Sequence, residues 1–250
     1  MKKIVAANAQ IGYDAMLQPR RNVTSVCSRR IRRRLSTWMS RQSSEHEDKC
    51  MNNRMFSQMN LAALARLEGR DPRELARNAD VRYDVEKQFF SIPTMGMDVT
   101  LSYPDYHFTP ELPGWHRLVI LHYLDLADGF PLTGKEISFG QMKSGMVRGG
   151  GMDRKCELAI QTLGNLNEDM LRKIRETTGG EPIDSNADGA YRIPFLPKFP
   201  VVLKIWLPDE DLPASGRLLL DSSADHYLNI EDAVTVAEIL LEKITQEEFL

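Results

Sequence analysis

The chain predicts an α+β fold: a mixed or antiparallel sheet packed with several helices in a single domain. Three observations carry that expectation. Helical and strand-like stretches come in groups, with no βαβ rhythm. The C-terminal third is dominated by period-two apolar alternation. Most helical stretches carry their own start or stop residue, and no internal repeat replaces them.

Helical spacing begins near Phe56, where Phe56, Met59, Ala63, Leu64 and Leu67 recur at three- and four-residue steps up to Gly69. Asp71-Pro72-Arg73-Glu74 reads as a second helix start: Asp as cap, Pro at the first helical position, Glu74 able to reach back. A strand pair is expected over Gln88–Ile92 and Met97–Ser102, joined by a turn from Pro93 to Gly96. A helix follows over Pro113–Ala127, with Gly129 as its stop and Trp115, Leu118, Val119, His122 and Leu126 on its apolar face.

After Pro131 the chain reads as loop and short extended pieces up to Gly149-Gly150-Gly151. Two more helices are expected over Arg154–Leu163 and Glu168–Thr177. Asn167 can cap the second and Gly179-Gly180 can end it. Tyr191–Phe195 and Val201–Leu207 read as strands around a corner of Pro194, Pro197 and Pro200. In the second, Val201, Leu203, Ile205 and Leu207 share a face, while Lys204 and Trp206 share the other. Arg217–Asp221 is a short strand. The last helix opens on Asn229, with Glu231 and Asp232 in its first turn.

Composition narrows the function classes. Hydrophobic residues make up 42% and charged residues 27%, which fits a folded globular protein. No apolar run approaches the roughly 20 residues of a membrane-spanning helix, so no membrane partner is expected. Cys27, Cys50 and Cys156 lie far apart, which excludes a disulfide scaffold and any Cys-only metal cage. A cytoplasmic location is expected.

The net charge of −3 hides a split. Residues 1–50 carry 11 Lys/Arg against 4 Asp/Glu, a net +7, and the remainder carries 21 against 31, a net −10. Arg29, Arg30, Arg32, Arg33 and Arg34 form the densest run. Such a block repels itself, so 1–50 is expected to be a poorly ordered basic extension and 51–250 the folded domain, with Met51 a plausible alternative start. The arm could also contact phosphates, but only Tyr13 and Trp38 could stack bases there. Nucleic acid is therefore the less favoured partner.

Two polar stretches stand out. His122-Tyr123 sits on an otherwise apolar helix face; a ligating or proton-moving histidine competes with a hydrogen-bonded core histidine. Asp221-Ser222-Ser223-Ala224-Asp225-His226 gathers Asp, Ser and His between a strand end and a helix start. Ser222 or Ser223 with His226 suggests a hydrolase or transferase, but there is no Gly-x-Ser-x-Gly elbow, and turn bonds by Asp and Ser are the plainer use. Gly149-Gly150-Gly151 lacks Walker spacing and reads as a turn. Asp209-Glu210-Asp211 reads as a solvated turn rather than a cation site. No metal-ligand spacing is present, and no cofactor can be named.

Several of these stretches together resemble the family of unknown function DUF3786. They are His122-Tyr123-Leu124; Pro131 to Phe139 with Thr133-Gly134; Gly189 to Phe195 continuing through Pro197 and Pro200 to Trp206; and Pro213-Ala214-Ser215 followed by Leu220 to Ala224 and Tyr227-Leu228. The resemblance spans about 55–245. Lys135 stands where an aromatic residue is frequent, and Leu212 where Phe is common. The cysteine-rich iron–sulfur module of some members has no counterpart here.

The resemblance implies an uncharacterised domain linked to anaerobic corrinoid or iron–sulfur metabolism, binding a small molecule or a partner protein. Whether it catalyses anything stays open. The expected site gathers His122, Tyr123, Ser138, Tyr191, Arg192, Trp206, Asp221, Ser222 and His226 in one hollow. There Arg192 would pair with an anionic group, the two histidines would orient the ligand or hold a metal, and Trp206 would form an apolar wall.

Overall fold

The structure is a computed structural model that describes residues 55–164 and 166–246. The expectations for residues 1–50, Met51, Cys27 and Cys50 lie outside the described residues. Everything below concerns the unit Arg54–Leu250.

Helix α1 covers residues 55–67 and buries Ala63 and Leu67. Helix α2, Pro72–Ala79, starts as expected: the Asp71 side chain accepts from Arg73 N at 2.9 Å. Four antiparallel strands follow in spatial order β1-β2-β3-β4: Arg82–Asp84, Phe89–Thr94, Met97–Ser102 and Phe108–Thr109. The expected turn shrinks. Pro93 stays in β2 opposite Asp98, and Met95-Gly96 alone reverses the chain with φ of +45° and +74°. Two-residue hairpins want positive φ at both positions, and Gly96 supplies one without strain.

Helix α3, Gly114–Leu126, is buried almost all round rather than on one stripe, from His116 and Leu118 through Leu124. Trp115 and Leu126, expected inside, are 45% and 43% exposed. Between α3 and the glycine run lie strand β5 (Glu136–Ile137), a 3-10 turn over Phe139–Gln141 and the four-residue helix α4 (Gly145–Arg148). Helices α5 (Met152–Thr162) and α6 (Glu168–Thr178) fall where expected. Asn167 Oδ1 accepts from Met170 N at 3.0 Å, and Gly179 closes α6 at φ +65°.

The second sheet is also antiparallel, in the order β5-β9-β8-β7-β6, with β6 Glu181–Pro182, β7 Gly189–Leu196, β8 Phe199–Trp206 and β9 Ser215–Asp221. Its two faces differ, as the alternation demands. Tyr191, Ile193, Val201, Leu203, Ile205, Leu218 and Leu220 are buried on one face. Helix α5 covers that face so closely that a Cβ on Gly216 would come within 2.5 Å of Ile160. Arg192, Lys204 and Trp206 lie on the other, where Lys204 Nζ reaches Glu136 Oε2 at 2.7 Å. The two sheets meet where β7 breaks its register, and Met95 N donates to Pro194 O at 2.9 Å.

Helix α7, Ile230–Gln246, packs Ala233, Val236, Ala237, Leu240 and Ile244 into the same core. Each large apolar side chain so enclosed contributes about 2 kcal/mol through burial. Among the described residues no helix is long and apolar enough to cross a membrane.

Candidate functional site

Strand β9 ends in Asp221, whose carboxylate is almost wholly enclosed. Five donors converge on it: Thr133 N at 3.0 Å, Thr133 Oγ1 at 2.9 Å, Gly134 N at 2.7 Å, Ser223 N at 2.9 Å and Ser223 Oγ at 2.7 Å. Burial pushes this carboxyl up, but the bonds from Ser223 and Thr133 outweigh it and bring it down to about 2. Four of these bonds fall on Oδ1 and one, from Gly134 N, on Oδ2, so the carboxylate is spent mainly on holding the fold.

Ser222 is engaged too. Thr133 Oγ1 uses its single hydrogen on Asp221, so Ser222 Oγ must donate to Thr133 Oγ1, 2.7 Å away. Ser223 is fully buried and donates to Asp221. A serine nucleophile needs a base within hydrogen-bond reach. Both hydroxyls point instead to the Asp221–Thr133 knot, so the geometry lends the hydrolase reading no support. The knot ties the strand end to the Thr133-Gly134 loop, which accounts physically for both blocks.

The histidines divide by burial. His122 Nδ1 lies 2.7 Å from Asp232 Oδ1, and Asp232 Oδ2 accepts from Asn229 Nδ2 at 2.7 Å. Asn229 Oδ1 in turn accepts from Asp232 N at 3.0 Å, the expected cap. This buried chain staples α3 to the first turn of α7. His226 is half-exposed. Its Nδ1 is 2.7 Å from Asp128 Oδ2, and its ring stacks on Phe130 with centroids 3.9 Å apart. The hydrogen bond from His226 holds the Asp128 carboxyl below its ordinary range.

A third histidine escaped the sequence reading. His116 is 2% exposed, bonded through Nε2 to Thr94 Oγ1 at 2.9 Å and packed on Phe195. Burial, with Lys243 nearby, pushes its imidazole down to about 4, so it stays neutral. The missed signal was the apolar run Leu118-Val119-Ile120-Leu121 just beyond it, which marks a helix buried on more than one face.

Beside His226 the surface opens into a groove of about 460 Å³. Leu126, Leu228 and Ile230 give it an apolar lining. Asp128 and His226, Lys143 and Ser144, and Asp225, Asn229 and Glu231 bring polar groups from three stretches of chain. The Asp225 carboxylate fixes the Lys143 turn by accepting Lys143 N at 3.0 and 3.1 Å.

Of the nine residues expected to share a hollow, only His226 lines this groove. His122 lies one helical turn before the lining residue Leu126. Asp221 and Ser222 belong to the knot. Tyr123 is in the core: its hydroxyl donates to Ala79 O at 2.7 Å and accepts from Lys198 N, and burial pushes it well up. Ser138 opens the 3-10 turn, with its amide on Gln141 Oε1 at 2.8 Å. Tyr191 and Arg192 are neighbours on a strand and so face opposite sides of the sheet; no single hollow takes both. Trp206 pairs with Ser215, at the other end of β9 from Asp221. The error has one cause: residues that cluster in family blocks were treated as facing one another, and strand alternation separates them.

Among the described residues no group of three or more His, Cys, Asp or Glu is placed to hold a metal ion. Cys156 is a fully buried free thiol, pushed up to about 12 by burial and then by Asp153 and Glu157, which keeps it unreactive.

No curated protein and no solved structure matches the chain. A family profile does match, over residues 71–243, which takes in β1 to β9 and most of α7. On that extent the chain belongs to the family described as domain of unknown function DUF3786.

Proposed function

We propose that this domain binds a small molecule, and that the binding place is the groove between the end of α3, the Lys143-Ser144 turn and residues 225–231. One observation carries the reading: this groove sets His226 and Asn229 from one stretch and Lys143 from another around Leu126, Leu228 and Ile230. Its volume of about 460 Å³ lies within the range of small-molecule pockets. With Nδ1 held by Asp128, a neutral His226 presents Nε2 as an acceptor. A ligand with an apolar body, a donor for His226 and an anionic or acceptor group for Lys143 fits this chemistry. The reading assigns binding and no reaction.

The setting is the one the resemblance implies, an accessory role in cytoplasmic anaerobic corrinoid or iron–sulfur metabolism. The free Cys156 thiol is compatible with a reducing compartment. Native mass spectrometry of protein purified without oxygen tests the reading. A co-purifying mass that is lost in Leu126→Trp, which fills the groove from an exposed position, is the expected result. A bound mass that survives Leu126→Trp unchanged would move the site elsewhere.

A further inference from the structure

A second groove shares no lining residue with the first. The last turn of α1 and the turn between β3 and β4 wall it, and it holds about 350 Å³, inside the range for small molecules. Leu64, Ala65 and Pro104 give it apolar surface, and Tyr103 and Tyr106 give it rings. Those rings are fixed before anything binds. They meet edge to face with centroids 5.9 Å apart, and Tyr103 also stands edge-on to Tyr83 and Phe90. The Tyr103 hydroxyl donates to Arg70 O at 3.2 Å and the Tyr106 hydroxyl to Leu67 O at 3.3 Å. Burial pushes the Tyr106 phenol up to about 12, so that ring stays uncharged.

Charge in this groove is one-sided. Glu68 from α1 and Asp105 from the turn both line it, and among the described residues neither carboxylate is in an ion pair or a hydrogen bond. No Lys, Arg or His lines it. Arg66 and Arg70, close by in sequence, are both held by Asp125. Helix α1 ends at the groove, and a helix C-terminus carries partial negative charge. Unpaired anionic groups on an aromatic and apolar lining suit a cation with an apolar surface. A hard metal ion suits them poorly, because it takes about six or more oxygens. Among the described residues no group of three or more His, Cys, Asp or Glu is placed to supply them. A primary ammonium would leave protons unpaired against Leu64, Ala65 and the rings, whereas the methyl groups of a quaternary ammonium pack there.

We propose that this second groove binds a small quaternary ammonium compound, its methyl groups against Tyr103 and Tyr106 and its charge balanced by Glu68 and Asp105.

Choline chloride, titrated at constant ionic strength into the full chain and followed by amide chemical shifts, tests this. Saturable shifts at residues 64–69 and 103–106 are expected. The dissociation constant should rise about tenfold in Glu68→Gln/Asp105→Asn, whose side chains are exposed, and hold in Glu181→Gln, an exposed position outside the groove. Dimethylbutanol, the uncharged carbon isostere of choline, should bind about tenfold more weakly or worse. Absence of saturable choline shifts would overturn the proposal. So would equal binding of the uncharged isostere, indifference to the double variant, an equal loss in Glu181→Gln, or magnesium chloride shifting the same amides more strongly than choline. None of these readouts involves the His226 groove, so the proposal fails or succeeds separately from the reading given to that groove.

Discussion

The Asp221 knot and the His226 groove are separated by a few residues of chain, yet they treat polar groups in opposite ways. At Asp221 five donors converge on one carboxylate, and the serines around it have no hydrogen left to give. At the groove, carboxylates hold the imidazole and the Lys143 backbone in place, while His226 Nε2 stays available. A fully satisfied buried network rigidifies the fold around it. Asp221, Ser222 and Ser223, which look most like chemistry in the sequence, therefore hold the scaffold beside the proposed groove.

Replacing Asp221 should show the contrast most strongly. Asp221→Ala leaves buried amides of Thr133, Gly134 and Ser223 without an acceptor, and should destabilise the fold by about 4 kcal/mol. His226→Ala removes a half-exposed pair with Asp128 and should cost less than about 1 kcal/mol. Urea denaturation of both variants measures this, and equal losses would erase the distinction between knot and groove.

Acidification should separate the knot from the core in two windows. His116 has its folded value lowered to about 4 from 6.5, so the unfolded chain takes up its proton first. Stability should fall as pH drops from 6.5 towards 4, by about 3 kcal/mol. Asp221 is lowered to about 2 from 3.8, so its contribution is full above 3.8 and disappears as pH falls towards 2. His116→Gln should flatten the first window and leave the second. A first window that persists in His116→Gln would assign it to another group.

The smallest expected effect is at Ser222. Ser222→Ala removes one bond to Thr133 at a half-exposed position and should cost about 0.5–1 kcal/mol. It should leave occupancy of the groove unchanged in native mass spectra. A loss of binding in this variant would reinstate the serine as part of the site.

Much of the fold was legible in the sequence because its signals are local. Asp71 and Asn167 cap the helices they were expected to cap, and the faces of Val201 to Trp206 alternate as expected. The short pieces were less legible: β5 is two residues long and pairs with Leu220 and Asp221 far along the chain, and α4 is a single turn packed on Phe139 and Gly140. Of the nine residues expected to share a hollow, His226 alone lines the groove. Phe130 and Lys143 carry no pattern of their own, and Asn229 reads only as a helix cap. Phe130 stacks on His226 and Lys143 is held by Asp225, contacts that join stretches 96 and 82 residues apart.

Amide chemical-shift mapping during titration with a library of small aromatic and aliphatic acids and amines tests the central claim most directly. Shifts concentrated at residues 126–128, 143–144 and 225–231, absent in Leu126→Trp, are the predicted result. Shifts concentrated at Thr133, Gly134 and residues 221–223, with the groove silent, would contradict the account.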